Sequence, residues 1–225
     1  MKKLIITFSI FAFFASSCVQ LLYAQLQIPA GFSELKYSPV NGLPMERMYI
    51  DFDGDGKKDT ATVIGKDNYG NVWEHFFLIH LTSSNKTHKV QMFGYDRRVN
   101  PVQLNRRNNV IHFSYFLAGT STFFRTLKLR YNPTNQRIQL IGYDSSYRIT
   151  SIGTGGRTEK SFNLLTGDFV VTNRFRYLSD DVFQYQEHRG NHRIRPIFIE
   201  DINDELLGEL DLVGREFELD FKNDD

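Results

Sequence analysis

Four aspartates lie close together in the segment Asp-Phe-Asp-Gly-Asp-Gly-Lys-Lys-Asp at residues 51–59. Calcium takes six to eight hard oxygen ligands at about 2.3–2.6 Å, and a looping backbone with this spacing can direct alternate side chains towards one ion. Gly56 permits the sharp turn that such a loop requires. The predicted ligands are the carboxylates of Asp51, Asp53 and Asp55, the main-chain carbonyl of Lys57, and Asp59, which binds directly or through water.

This segment differs from the calcium loop of an EF-hand, which needs a helix on each side and a bidentate glutamate at its twelfth position. The twelfth position here is Thr62, and the flanking residues have the pattern of strands. A turn rich in Asp and Gly can also exist without metal, but four neighbouring carboxylates repel one another unless a cation offsets their charge. The sequence therefore predicts a Ca²⁺-binding turn between two strands.

Other residues give weaker indications of chemistry. His188 and His192 have the spacing of a metal pair on a helix, but Gly190 and Asn191 between them favour a turn. The chain has no Gly-x-Ser-x-Gly nucleophile motif, and its only cysteine, Cys18, excludes an intrachain disulfide framework. An enzyme built on this sequence would have to bring paired carboxylates or a triad together from separate strands.

The N-terminal residues have the features of an export signal. Lys2 and Lys3 precede an apolar run at 4–15 that is too short to span a bilayer. We expect a signal peptide at 1–24, cleaved after Ala24, and a periplasmic or secreted protein; the alternative is cleavage before Cys18, which would leave a lipid anchor. No second apolar run is long enough to cross a membrane, so no transmembrane segment is expected in the mature chain.

The chain after residue 46 has the period of β-strands, because short runs rich in Val, Ile, Phe, Tyr and Thr end in clusters of Gly, Asn, Asp or Ser. This pattern predicts an all-β fold in a single domain at 25–200, with about 10–12 mostly antiparallel strands in a propeller-like or sandwich array. The predicted strands are 47–51, 60–65, 74–81, 87–93, 110–116, 122–131, 137–143, 159–164, 169–176, 182–186 and 196–199.

The acidic C-terminal segment at 201–225 has one predicted helix, at 201–212, with Asn203 as a candidate N-cap. It has 10 acidic and 2 basic residues, whereas residues 125–195 have 12 basic and 6 acidic ones. The segment could dock on this basic region, bind a separate basic partner, or remain a solvated tail. The formal net charge of +1 gives no reason to expect a nucleic acid partner.

The aspartate-rich loop resembles the calcium loops of FG-GAP and VCBS-type repeats. Together with the segments at 127–131, 140–144 and 161–167, it is similar to exported bacterial β-propeller-like proteins with a single such loop, including calcium-containing periplasmic lysozyme inhibitors of the i-type class. The similarity covers roughly residues 48–171.

This resemblance implies a non-catalytic protein-binding module with a protein partner in the cell envelope, and an inhibitor of a peptidoglycan-cleaving enzyme as its specific form. Two other functions stay open at this point. One is a secreted glycan or peptide hydrolase, and the other is a cell-surface adhesion protein. The sequence does not predict an oligomeric state.

Overall fold

The computed structural model describes residues 26–68, 71–92, 99–117, 122–149, 156–176 and 182–218. The predicted signal peptide at 1–24, with Cys18, and residues 219–225 of the acidic segment lie outside these ranges. The described residues form thirteen strands and one α-helix, which confirms the all-β fold class. The elements are β1 Phe32–Glu34, β2 Met48–Ile50, β3 Asp59–Asn68, β4 Asn71–Leu81, β5 Lys86–Gln91, β6 Val99–Arg107, β7 Val110–Leu117, β8 Thr122–Asn132, β9 Arg137–Ile149, β10 Gly156–Asn163, β11 Asp168–Phe175, β12 Gln184–Asn191, β13 Ile197–Phe198 and α1 Asp204–Leu212.

The strands form two antiparallel sheets. In the smaller sheet the order is β1-β3-β4-β5. Both β1 and β2 pair with β3, β1 with residues 64–66 and β2 with residues 59–61. In the larger sheet the strands from β6 to β12 follow one another in chain order, and β13 pairs with β9. From β2 to β5 and from β6 to β12, neighbours in sequence are thus neighbours in space, as short connections between antiparallel strands produce.

The two sheets pack face to face over a shared core. Phe77 of β4 and Phe113 of β7 are both fully buried, and their rings stack with centroids 4.6 Å apart. The opposite face of the smaller sheet is covered near the start of the described chain, where Leu26, Ile28 and Phe32 pack against Ile64. Of the two arrangements that the sequence left open, the structure is therefore the sandwich.

Each predicted strand overlaps an observed one, but β1 and β6 were not predicted. β1 has only three residues and precedes residue 46, after which the strand pattern of the sequence begins. β6 contains Pro101, which has no amide hydrogen and argues against a strand. The structure accommodates this proline because β6 lies at the edge of its sheet and its register with β7 shifts between Pro101 and Gln103.

The position of β12 also differs from the prediction, which ended the strand at residue 186 and placed a turn around Gly190. In the structure Gly190 is paired with Phe169 inside a regular ladder between β11 and β12. A Cβ atom at Gly190 would lie 2.3 Å from the ring of Phe169. The glycine therefore marks a close approach between a backbone and an aromatic ring rather than a turn.

The C-terminal helix begins later than predicted. Residues Ile199–Asp201 form a short 3-10 turn, and α1 begins at Asp204 after the cap residue Asn203. The side-chain oxygen of Asn203 accepts a hydrogen bond of 2.8 Å from the amide of Leu206. The predicted N-cap is therefore confirmed, and the helix cannot extend towards residue 201 because the backbone at Asn203 is extended.

The acidic segment docks on the inward face of the larger sheet, as one of the alternatives predicted. Arg125 of β8 forms an ion pair with Asp211 of α1, and the hydroxyl of Tyr143 on β9 donates to the same carboxylate. Arg125 and Tyr143 are both buried. The sheet thus supplies a cation and a hydrogen-bond donor to a carboxylate that comes from a segment 68 residues further along the chain.

Lys160 of β10 makes a second set of contacts with the same segment. Its buried ammonium group donates to the carbonyls of Asp211 at 2.5 Å and Val213 at 2.8 Å, and to the carboxylate of Glu218 at 3.3 Å. Burial lowers the pKa of Lys160, and the charge of Glu218 opposes that shift. The acceptors surround the ammonium group, so the segment provides the oxygens that a buried lysine requires.

Candidate metal centre

The aspartate-rich loop connects β2 with β3 at one end of the smaller sheet. Ile50 is paired with Asp59 in the ladder, so the chain leaves β2 and returns to β3 within the loop. Gly54 and Gly56 have φ angles of +82° and +85°, which side chains other than hydrogen rarely adopt. The two glycines therefore allow the tight path that brings the loop back on itself.

Three of the predicted ligands come together in this loop. One carboxylate oxygen from each of Asp51, Asp53 and Asp59 lies within 4.8 Å of the others. Two ligands of one calcium ion are at most about 5.2 Å apart, which is twice the longest ordinary bond length. The spacing and the oxygen donors therefore fit a cation, and this group of three aspartates could hold a metal ion.

Backbone amides hold the carboxylates in place. The two oxygens of Asp51 accept hydrogen bonds from the amides of Gly54 at 2.8 Å and Gly56 at 3.0 Å. Those of Asp59 accept from Phe52 at 2.9 Å and from Thr82 at 2.8 Å. The amide of Asp53 also donates to Oδ2 of Asp59, at 3.4 Å, and the other three oxygens keep a second lone pair for a cation.

Asp59 is the most buried of the three aspartates, and none of its surface is exposed. Burial raises the pKa of its carboxyl group, the amides of Thr82 and Phe52 oppose the shift, and the charge of Asp53 adds to it. The folded state therefore binds a proton here more readily than the unfolded chain does, and in the absence of a cation stability rises as the pH falls towards this pKa. A bound cation would favour the ionised form instead.

Asp55 and Lys57 lie outside the group of three aspartates. Both are exposed, and the amide of Lys57 donates to a carboxylate oxygen of Asp55 at 2.7 Å. The structure thus brings the carboxylates of Asp51, Asp53 and Asp59 together, and that of Asp55 does not belong to the group. Their role as ligands stays a prediction.

Two residues that the sequence did not indicate also contact this loop. The hydroxyl of Ser83 donates to Asp53 at 2.6 Å, and that of Thr82 donates to the carbonyl of Lys58 at 2.6 Å. Both lie in the turn between β4 and β5. The pairing of Thr60 with His80 in neighbouring strands brings this turn beside the loop, and only knowledge of that register could have predicted the contact.

The negative charges of the loop also affect Tyr131, a residue of the larger sheet. Its pKa is raised, first by burial and then by the negative charges of Asp53, Asp59 and Asp55. Tyr131 also packs partly against the shared core. The negative charge of the acidic loop therefore affects the larger sheet as well as the smaller one.

His188 and His192, the two histidines considered as a metal pair, are held apart by extended backbone. His188 belongs to β12, and four residues along an extended chain span about 13 Å. The ring of His188 stacks on Phe217 with centroids 4.9 Å apart, and His192 contacts Phe162 edge to face. Both histidines therefore take part in aromatic packing and do not form a chelating pair.

No family model, curated protein or solved structure matches the chain. Among the described residues, neither α1 nor the 3-10 turns have the length and apolar character needed to cross a bilayer. The function therefore has to be argued from the residues of this chain.

Proposed function

We propose that this chain is an exported, calcium-binding, non-catalytic protein-binding module of the cell envelope. The observation that carries the calcium assignment is the meeting of three aspartate oxygens within 4.8 Å of one another in the loop between β2 and β3. All of these donors are carboxylates, the ligands that calcium prefers. Asp55 and the main-chain carbonyl of Lys57 complete the proposed ligand set.

The proposed role of the ion is structural. Calcium supplies positive charge that offsets the repulsion between the carboxylates. Asp59 belongs to β3 and accepts a hydrogen bond from the amide of Thr82. Asp53 accepts a hydrogen bond from the hydroxyl of Ser83, which lies in the turn after β4. A loop fixed by the ion therefore also fixes the connection between two hairpins of the smaller sheet.

Removing calcium is expected to lower the melting temperature of the purified protein. An ion present at a hundred times its Kd stabilises the native state by about 2.7 kcal/mol, which corresponds to about 5–10 °C for a chain of this size. Differential scanning calorimetry with calcium or with a chelator measures the shift. Asp53→Ala should show the lower melting temperature without chelator.

Lys57→Ala is the matched control for this experiment, because it removes a charged side chain from the same loop but keeps the proposed carbonyl ligand. It should respond to calcium as the unchanged protein does. Magnesium in place of calcium tests which cation the loop prefers. Melting curves that are the same with calcium and with chelator would contradict the proposal.

The envelope partner in this proposal is a peptidoglycan-cleaving enzyme that the protein inhibits. This part is supported by the predicted export signal and by the family resemblance of the calcium loop. The protein in stoichiometric excess is expected to suppress at least one lysozyme in a panel of chicken, invertebrate and goose types. Lysis of a bacterial cell wall suspension gives the readout, and an unchanged rate with every enzyme would rule out this role.

A further inference from the structure

The outer face of the larger sheet, which points away from the shared core, has an open groove of about 480 Å3. Side chains from six consecutive strands, β6 to β11, line it. At an ordinary strand spacing these strands span about 24 Å. The groove is open to solvent. We call it the outer groove and define it by Ser114, Phe124, Thr126, Asp144, Ser146 and Ser161.

Hydroxyl groups make up much of the polar lining of the outer groove. The hydroxyls of Ser114 and Thr126 lie 2.8 Å apart on neighbouring strands, and Ser161 donates to Asp144 at 2.8 Å. Ser146 and Thr172 add further hydroxyls. Each of these groups both donates and accepts hydrogen bonds, as a ligand rich in hydroxyls requires.

The charges beside the outer groove are paired with one another. Lys128 contacts Asp144 at 2.7 Å, and Arg157 contacts Glu159 at 2.6 Å. These two pairs carry no net charge. Their paired groups present fixed donors and acceptors to a neutral polar ligand.

An aromatic ring completes this set of groups. Phe124 is half-buried in the groove lining, and its ring packs against Phe116 with centroids 5.1 Å apart. The contact with Phe116 restrains the ring that lines the groove. Val102 and Val170 extend the apolar part of the lining. The groove thus offers a fixed apolar surface beside a dense set of hydrogen-bonding groups.

We propose that the outer groove binds a neutral oligosaccharide. A sugar ring has an apolar C–H face and a rim of hydroxyls, which match Phe124 and the surrounding hydroxyls and ion pairs. The breadth of the groove suits a chain of several rings rather than a monosaccharide. This proposal is independent of the calcium loop and of any enzyme inhibitor role, because it uses other residues on another face of the molecule.

Isothermal titration of the purified protein tests the proposal. The probes are neutral tetrasaccharides of glucose, mannose, galactose or N-acetylglucosamine, each compared with its monosaccharide. At least one tetrasaccharide is expected to bind, and more tightly than its monosaccharide. Phe124→Ala is expected to weaken that binding about tenfold, because it removes the stacking surface. Asp144→Asn should also weaken it, because one of the two acceptor oxygens becomes a donor and the ion pair with Lys128 is lost.

Tyr185→Ala is the matched control, because Tyr185 is an exposed aromatic residue of β12 and does not line the groove. It should leave the affinity unchanged. Melting curves of all three variants establish that the fold is retained. Absence of binding to every tetrasaccharide, equal affinity in all three variants, or a preference for a polyanion such as heparin would each overturn the proposal.

Discussion

Replacing Asp211 with alanine is expected to lower the free energy of unfolding by about 3–5 kcal/mol, as breaking a buried ion pair does. The carboxylate of Asp211 forms an ion pair with Arg125, whose side chain is 6% exposed. The same carboxylate accepts a hydrogen bond from the hydroxyl of Tyr143. Without it, a guanidinium group stays in a buried site and has lost the carboxylate of its ion pair. The effect is large because the cost is that of a desolvated charge rather than of one lost contact.

Chemical denaturation followed by intrinsic fluorescence measures this change. Glu209→Ala removes the same charge from an exposed position of α1 and is expected to change stability by no more than about 0.5 kcal/mol. The double variant Arg125→Met with Asp211→Ala should be more stable than the sum of the two single changes predicts, because the buried charge is then removed together with its partner. A loss from Asp211→Ala as small as that from Glu209→Ala would show that the segment is not held by this pair.

Replacing Phe113 with alanine is the second change with a large expected effect, a loss of about 3–5 kcal/mol. The ring is fully buried between Phe77, 4.6 Å away in the other sheet, and Tyr115, 5.7 Å away in the same strand. Its removal leaves a cavity at the contact between the sheets and forfeits an aromatic stacking interaction.

Phe116→Ala is the comparison for this change, because residues 113 and 116 lie on opposite faces of the same strand. Phe116 is only half-buried. Its replacement should therefore lower the free energy of unfolding by less than half as much as Phe113→Ala does. Urea unfolding of both variants gives the two values. Equal losses would mean that the face shared by the sheets is not the main source of stability.

The strands could be predicted from the sequence because most of them alternate between one buried and one exposed face, as β10 does along its length. The failures have local causes. Pro101 is compatible with a strand only at an edge with a shifted register. Gly190 is required in its strand because the ring of Phe169 occupies the space that a Cβ atom would need. Neither condition can be recognised before the neighbouring strand is known.

The loop at 51–59 shows the same limit for the candidate site. Spacing alone grouped five ligands, and the structure brings together Asp51, Asp53 and Asp59. The contact with Ser83 depends on the pairing of β3 with β4, which the loop sequence does not encode. The charge imbalance left docking of the acidic segment as one of three alternatives, and it could not identify Arg125 and Lys160 among the basic residues of that region.

The docked acidic segment also makes the order of synthesis matter for this fold. A ribosome completes β8, β9 and β10 before it reaches Asp211 and Glu218, so Arg125 and Lys160 are made long before the oxygens that contact them. A nascent chain interrupted before residue 211 would lack the partners that Asp211 and Glu218 supply to these two buried cations. Completion of the sandwich is therefore a late event, and chains truncated before residue 211 should be incompletely folded.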